Sequence, residues 1–240
     1  MHIDIQLFPI PPQPEILYDR AVVVIDVLRA TSVIVHALSQ GAKEVIPVAT
    51  VEEAFRVAKA FPAGTTLLGG ERESQKIEGF DLGNSPEEYT AEKVKDKRLV
   101  LTTTNGTKAF YFVSSGGKIF VGSFLNIEAL AQRCLESGRN LFIFPSGDRG
   151  NFSLEDTVCG GVLIDLLLKK GGSAIHLTDA SYSALILYQR FEPNLLGAFH
   201  LSRHGKELVD LGAGDDLLYC AQTDMTPVVP VFRGGVISMF

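Results

Sequence analysis

Cysteine is scarce and unpatterned: Cys134, Cys159 and Cys220 are odd in number, widely spaced and form no C-x-x-C. Neither a disulfide framework nor a structural zinc site is expected, and a reduced, cytoplasmic compartment follows as the default. Long apolar runs are also missing. The longest, Ala21–Ile25 and Gly160–Leu168, fall far short of the roughly 20 residues that cross a bilayer. Met1–Phe8 alternates and carries Asp4, unlike a basic leader followed by an apolar block, so no targeting segment is expected. There is no basic excess: 22 Lys and Arg stand against 28 Asp and Glu, a net charge of −6. That balance excludes a general nucleic-acid binder and an anionic-membrane binder. Tryptophan is absent, which excludes nothing. No G-x-G-x-x-G follows a strand, no Gly-Lys-Ser/Thr phosphate loop occurs, and no G-x-S-x-G elbow supports a serine hydrolase.

What is present is an ordinary globular composition, 46% hydrophobic and 21% charged over 240 residues. It suits one large domain over residues 1–240, or two intimately packed α/β halves sharing a core. Short β-branched runs alternate with helical patterns. Strands are expected at Ile3–Phe8, Ala21–Asp26, Glu44–Val48, Thr65–Gly69, Arg98–Thr103, Lys118–Gly122, Asn140–Pro145 and Ser173–Leu177. Helices are expected at Arg29–Gln40, Val51–Phe61, Gly106–Ser114, Asn126–Ser137, Ser153–Lys170 and Ala180–Phe191, with Pro227–Phe240 returning to strand or irregular structure. The fold class that follows is α/β, a mostly parallel or mixed sheet with helices on both faces. Ala21–Asp26 shows no polar alternation, as a strand covered on both faces should. Gly160-Gly161 inside an otherwise apolar helix would cost about 1 kcal/mol each relative to Ala, which points to unusually close packing there.

Ligands of open α/β sheets bind outside the carboxyl ends of the strands, and four expected strands here end in dense polar loops. These are Asp26–Ser32, Gly69–Asp81 (continuing to Pro86), Thr102–Lys108 and Pro145–Asp156. In the third, the threonine hydroxyls, an Asn-Gly turn and the first amides of a helix offer donors to an anion; the same residues also suit a plain turn and helix cap. Asp26 closes an apolar strand, where a charge must meet a metal, an arginine or solvent. It reads equally as a buried partner of Arg29 and as a ligand or nucleophile. Asp148 lies in a turn composition, and Ser153 with Asp156 resembles a capping box. Glu155 leaves the same loop as Asp148 and is a candidate metal ligand. His200 and His204 share an i, i+4 spacing but lack a third ligand, and read as surface or packing histidines.

The ordered set of Val24–Ser32, Gly70-Glu71-Arg72, Gly79–Pro86, Thr102–Thr107, Ser146–Asp156, Asp215–Ala221 and Pro227–Pro230 resembles the 2-phosphosulfolactate phosphatase family over nearly the whole chain. The resemblance implies a Mg²⁺-dependent phosphomonoester hydrolase that converts 2-phospho-3-sulfolactate to 3-sulfolactate and phosphate in coenzyme M biosynthesis. A phosphatase of another small phosphorylated carboxylic acid, and a non-catalytic phosphoanion-binding protein, are the alternatives. On that reading Asp26, Glu71 and Glu155 would hold Mg²⁺, which prefers oxygen ligands. Arg29 and Arg149 would clamp anionic oxygens, while Thr104, Asn105, Gly106, Thr107, Ser146 and Arg72 would bind substrate. Asp148 would protonate the leaving alkoxide, and the attacking oxygen would belong to metal-activated water or to Asp26. The expected partner is a small anionic phosphoester, with no nucleic acid, no membrane, and a homo-oligomer open. The four loops hold eight acidic and five basic residues, half of the chain's net −6. Such loops would repel a phosphoester unless a cation joined them.

Overall fold

The computed structural model describes residues 1–239; Phe240, the end of the last expected segment, lies outside them. Strands β1 (His2–Ile5), β2 (Ala21–Ile25), β3 (Glu44–Pro47), β4 (Thr66–Arg72), β5 (Gln75–Lys76), β6 (Arg98–Thr102), β7 (Lys118–Gly122), β8 (Leu141–Pro145), β9 (His176–Leu177), β10 (Val231–Arg233) and β11 (Val236–Ser238) form one sheet. Their order is β5-β4-β6-β3-β11-β10-β7-β2-β8-β1-β9. The sheet is mixed: β4, β6 and β3 are mutually parallel, as are β7, β2, β8, β1 and β9. The β10–β11 hairpin joins the two blocks through antiparallel pairings on each side.

Three antiparallel steps between the blocks make them run in opposite senses, so a flat sheet would send their carboxyl ends to opposite edges. The sheet is not flat. At roughly 20–25° of twist per neighbouring strand, the five steps from β6 to β2 accumulate on the order of 100–125°. A rotation of that size would offset most of the reversal and carry the loops after β4 and β6 toward the loop after β2. Their meeting is direct: a Cβ on Gly106, just past β6, would lie 2.5 Å from Asp26 Oδ2, just past β2.

Helices cover both faces, as the alternation of side chains on β2 requires. Ala21, Val23 and Ile25 join a core with Leu130, Val158, Leu163 and Phe199. Val22 and Val24 point the other way, into a core with Val33, Ile34, Ala109 and Phe110. The long helix Leu154–Gly171 carries the expected glycine pair. A Cβ on Gly160 would sit 2.7 Å from Ile5 Cδ1, and one on Gly161 would sit 2.3 Å from the Ala184 carbonyl oxygen of helix Asp179–Phe191. The two glycines therefore let this helix press against the sheet on one side and its neighbour on the other.

Three short helices, Leu195–Leu201, Arg203–Asp210 and Gly214–Cys220, fill a segment where the sequence reading placed no element. Each of the first two has a visible start: Asn194 accepts from the amide of Gly197, and Ser202 from that of Gly205. Ser202 ends one helix and caps the next, so His200 and His204 fall on different helices rather than on one face. Among the described residues, no helix is long and apolar enough to cross a membrane.

Candidate active site

The loop after β2 is pinned from three sides. The Asp26 amide donates to Thr31 Oγ1 at 3.0 Å, and that hydroxyl returns a bond to the Asp26 carbonyl at 2.9 Å. Asp26 Oδ1 accepts a longer bond, 3.4 Å, from the Ala30 amide. Asp156, in the first turn of helix Leu154–Gly171, accepts from the Val27 amide at 2.8 Å and from Ser146 Oγ at 3.4 Å. Half of the expected capping box forms, since Ser153 Oγ accepts from the Asp156 amide. The Asp156 carboxylate reaches across to β2 instead of back to Ser153.

Three buried acids thus gather at the carboxyl end of β2. Burial pushes Asp26 up to about 6, against partial relief from a Ser146 hydrogen bond and the positive field of His204. Burial, followed by the charges of Asp26 and Glu155, raises Asp156 well above the usual carboxylate range. Glu155 is raised by burial as well. Arg29 does not relieve them. Its Nη1 pairs with Asp216 Oδ2 at 2.5 Å and its Nη2 donates to the Ser74 carbonyl at 3.1 Å. The Arg29–Asp26 pair, one of the two readings of Asp26, does not form. Arg29 Nε is buried without a partner.

Glu71 ends up bracing the loops after β4 and β6. Its carboxylate accepts from the Thr104 amide at 2.7 Å, from Thr104 Oγ1 at 3.1 Å and from the Ser74 amide at 2.9 Å. Arg72 spans the same strands, donating to Thr102 Oγ1 and to the carbonyls of Glu71 and Ala49. In the Thr102–Lys108 loop, Thr103 and Thr107 cap each other: each amide donates to the other's hydroxyl at 3.2 Å. Gly106 is packed against Asp26 and Ala30. Thr107 and Gly106 therefore lie within the packed cap, whereas Thr104 and Asn105 line open space.

The loop after β8 is tied to the short helices. Asp148 Oδ2 pairs with Arg203 at 2.5 Å, and Arg149 Nη2 pairs with Glu207 at 2.8 Å. The Arg149 amide donates to Asn105 Oδ1 at 3.0 Å. An open cleft of about 1060 Å³ runs between Arg72, Thr104, Arg149, Arg203, Lys206 and Glu207. A neighbouring cavity of about 400 Å³ adds Asn105 and Ser146. A smaller one, about 180 Å³, is lined by Asp148, Glu155 and His204.

His204, expected to be a surface or packing residue, stands at this site. It is half-buried, its Nδ1 has no partner, and its field reaches both Asp26 and Glu155. Arg203, Glu207, Asp156 and Asp216 were likewise not assigned roles by sequence. The only signal for Asp216 was its place in the ordered motif set; His204 showed only its i, i+4 spacing with His200, and nothing in the sequence singled out Arg203 or Glu207 for a role in the site.

The acids fit a divalent cation in their chemistry. They supply hard oxygen donors, and Asp26, Glu155 and Asp156 crowd negative charge in a buried place without an arginine among the described residues to offset it. Asp26, Glu71 and Glu155 do not close into a ligand cage, however. Among the described residues, no group of three or more His, Cys, Asp or Glu is arranged to hold a metal. Mg²⁺ keeps several of its waters and needs only one or two carboxylates, so Asp26 and its immediate neighbours suffice, with Glu71 already engaged by amides.

Comparison with known proteins bears on the whole chain. The model of the 2-phosphosulpholactate phosphatase family matches residues 10–235. A probable 2-phosphosulfolactate phosphatase of Caldanaerobacter subterraneus subsp. tengcongensis is 43% identical over 221 residues, 92% of this chain and 91% of that protein. Proteins of the same description are 42% identical in Clostridium novyi, over 97% of both chains, and 41% identical in Symbiobacterium thermophilum, over 96% of this chain and 98% of the other. On this coverage, the chain belongs to the 2-phosphosulpholactate phosphatase family.

Proposed function

We propose that the protein is a Mg²⁺-dependent phosphomonoester hydrolase that converts 2-phospho-3-sulfolactate to 3-sulfolactate and phosphate. The observation that carries this reading is the group of buried acids at the end of β2, lying beside an arginine whose Nε lacks a partner. A phosphomonoester supplies what both halves want: an anion for the guanidinium, and a reacting centre that enters with a cation. The family resemblance adds coenzyme M-type sulfonate biosynthesis, in the cytoplasm, as the setting.

In the net reaction one water is consumed, the ester P–O bond breaks, and the departing alkoxide takes up a proton. Bound Mg²⁺ would neutralise phosphoryl charge and favour attack at phosphorus. On this reading Asp26 acts on the attacking oxygen, either as the nucleophile or by orienting water. Arg29 Nε donates to a phosphoryl oxygen. The carboxylate and sulfonate of the substrate then face the cleft, where Arg72, Thr104, Asn105, Ser146 and Arg149 offer donors. Asp148, held by Arg203, stands where a leaving group could be met.

The test is phosphate release from 2-phospho-3-sulfolactate, abolished by EDTA and restored by Mg²⁺. Equal turnover on phospholactate would assign the enzyme to a small phosphorylated carboxylic acid without sulfonate recognition. Binding without release would make it a phosphoanion sensor and overturn the hydrolase.

A further inference from the structure

Asp216 is 187 residues away from Arg29 in the chain, yet the two form a buried pair whose side chains are only 6% and 5% exposed. Nothing about Asp216 is available for other work. One carboxylate oxygen takes Arg29 Nη1, and the other accepts from Ser85 Oγ at 2.5 Å. Arg29 Nη2 is held in turn by the Ser74 carbonyl. A guanidinium is planar, so fixing Nη1 and Nη2 fixes the direction of Nε–H as well. That Nε is buried and unpartnered, an arrangement that calls for an explanation such as a ligand, an ion or an ordered water.

We infer that Asp216, steadied by Ser85, is a positioning residue that locks the Arg29 guanidinium so that its free Nε–H is presented to the anionic group of the substrate. The inference rests on the phosphoester reading above for the identity of that anion. It also explains the cost of carrying the short helix Gly214–Cys220 to the site. Asp216 lies in its first turn; Ser74, between β4 and β5, holds the guanidinium with it, and Ser85, in the segment after β5, holds Asp216 in turn. A carboxylate that only tied this helix to the sheet would need neither the second grip on Nη2 nor an Nε left open.

The test uses the full-length protein and inorganic phosphate as the probe, with Asp216→Asn, Asp216→Glu and Ser85→Ala as variants. Calorimetric titration gives the phosphate Kd, steady-state assays give kcat and KM, and far-UV circular dichroism gives the folded fraction. Locking of Arg29 predicts that Asp216→Asn weakens phosphate binding by at least about tenfold in folded protein, with kcat falling alongside. Ser85→Ala should move both in the same direction by a smaller factor, and Asp216→Glu should recover part of the loss. Folded Ser85→Ala and Asp216→Asn with Kd and kcat within about twofold of the parent would overturn the proposal. So would an Asp216→Asn that fails to fold beside a Ser85→Ala with unchanged constants. A parent that binds phosphate but hydrolyses no phosphoester would refute the proposed reaction alone, because the Kd comparison still decides the role of Asp216.

Discussion

The Val27 amide donates to Asp156 Oδ1 at 2.8 Å, so the residue next to Asp26 in the chain is bound to the acid that crowds Asp26 in space. This bond turns two carboxylates from opposite halves of the sequence into one electrostatic unit. Neither can be read alone: burial raises both, and each added charge nearby raises Asp156 further.

Asp26→Asn should separate stability from activity. Burial pushes Asp26 up to about 6 in the folded protein, so the native state holds this proton more tightly than the unfolded state does. The stability linked to it is fully present below about pH 4 and is lost as pH rises toward 6. A difference of about two pKa units corresponds to about 3 kcal/mol. In EDTA, Asp26→Asn should therefore melt higher than the parent at pH 8, and the gain should shrink toward pH 4. Phosphate release by the same variant should fall by about 1,000-fold or more. A variant that melts lower at pH 8, or keeps near-parent turnover, would remove Asp26 from its assigned place.

Arg29→Ala should cut turnover by at least about 100-fold if, as proposed, its Nε donates to the phosphoryl group. It also leaves Asp216 buried without its cation, so a lower melting temperature is expected in the same variant. Normal turnover in folded Arg29→Ala would show that the phosphoryl group is held elsewhere.

Gly106→Ala addresses the meeting of the two sheet blocks. The added Cβ would fall 2.5 Å from both Asp26 Oδ2 and Ala30 Cβ, and it can be relieved only by moving the β2 loop. We expect a large fall in kcat, with a modest loss of stability of roughly 1–3 kcal/mol. Unchanged kcat would mean that the β6 and β2 loops are less tightly apposed in solution.

Gly161→Ala is the control at a distance from the chemistry. Its Cβ would meet the Ala184 carbonyl at 2.3 Å, which forces two helices apart at a cost on the order of 1–3 kcal/mol. Thermal melting should report that loss, while kcat per folded molecule stays close to the parent value.

His204→Gln tests a residue whose spacing from His200 pointed only to a surface or packing role. The field of His204 lowers Asp26 and Glu155, so its removal should let both titrate at higher pH. The acidic limb of the kcat/KM profile should move upward in pH. A limb that stays in place would detach His204 from these acids.

The sequence by itself determined the layers and a candidate address for the site. Short β-branched runs separated by helical periods demand an α/β sheet, and the unbroken apolar Ala21–Ile25 demands cover on both faces; both are local properties of neighbouring residues. The concentration of polar residues in the loops after β2, β4, β6 and β8 placed the site at the carboxyl ends of those strands. The glycine pair at 160–161 foretold close packing because only proximity justifies its cost within a helix. Tertiary structure decided the rest. The antiparallel hairpin β10–β11 set two parallel blocks in opposite senses, and only the packed fold shows that their loops meet, with Gly106 against Asp26. Which acid pairs with Arg29 was equally hidden. Asp26 is three residues away, but the guanidinium turns to Asp216, since partner choice in a buried site follows geometry across the fold rather than spacing along the chain. Of the short helices that deliver Asp216, Arg203, His204 and Glu207, Gly214–Cys220 is too brief to show a clear period, whereas Arg203–Asp210 is strongly amphipathic and its period was there to be read. They exist because the core and these buried pairs hold them in place.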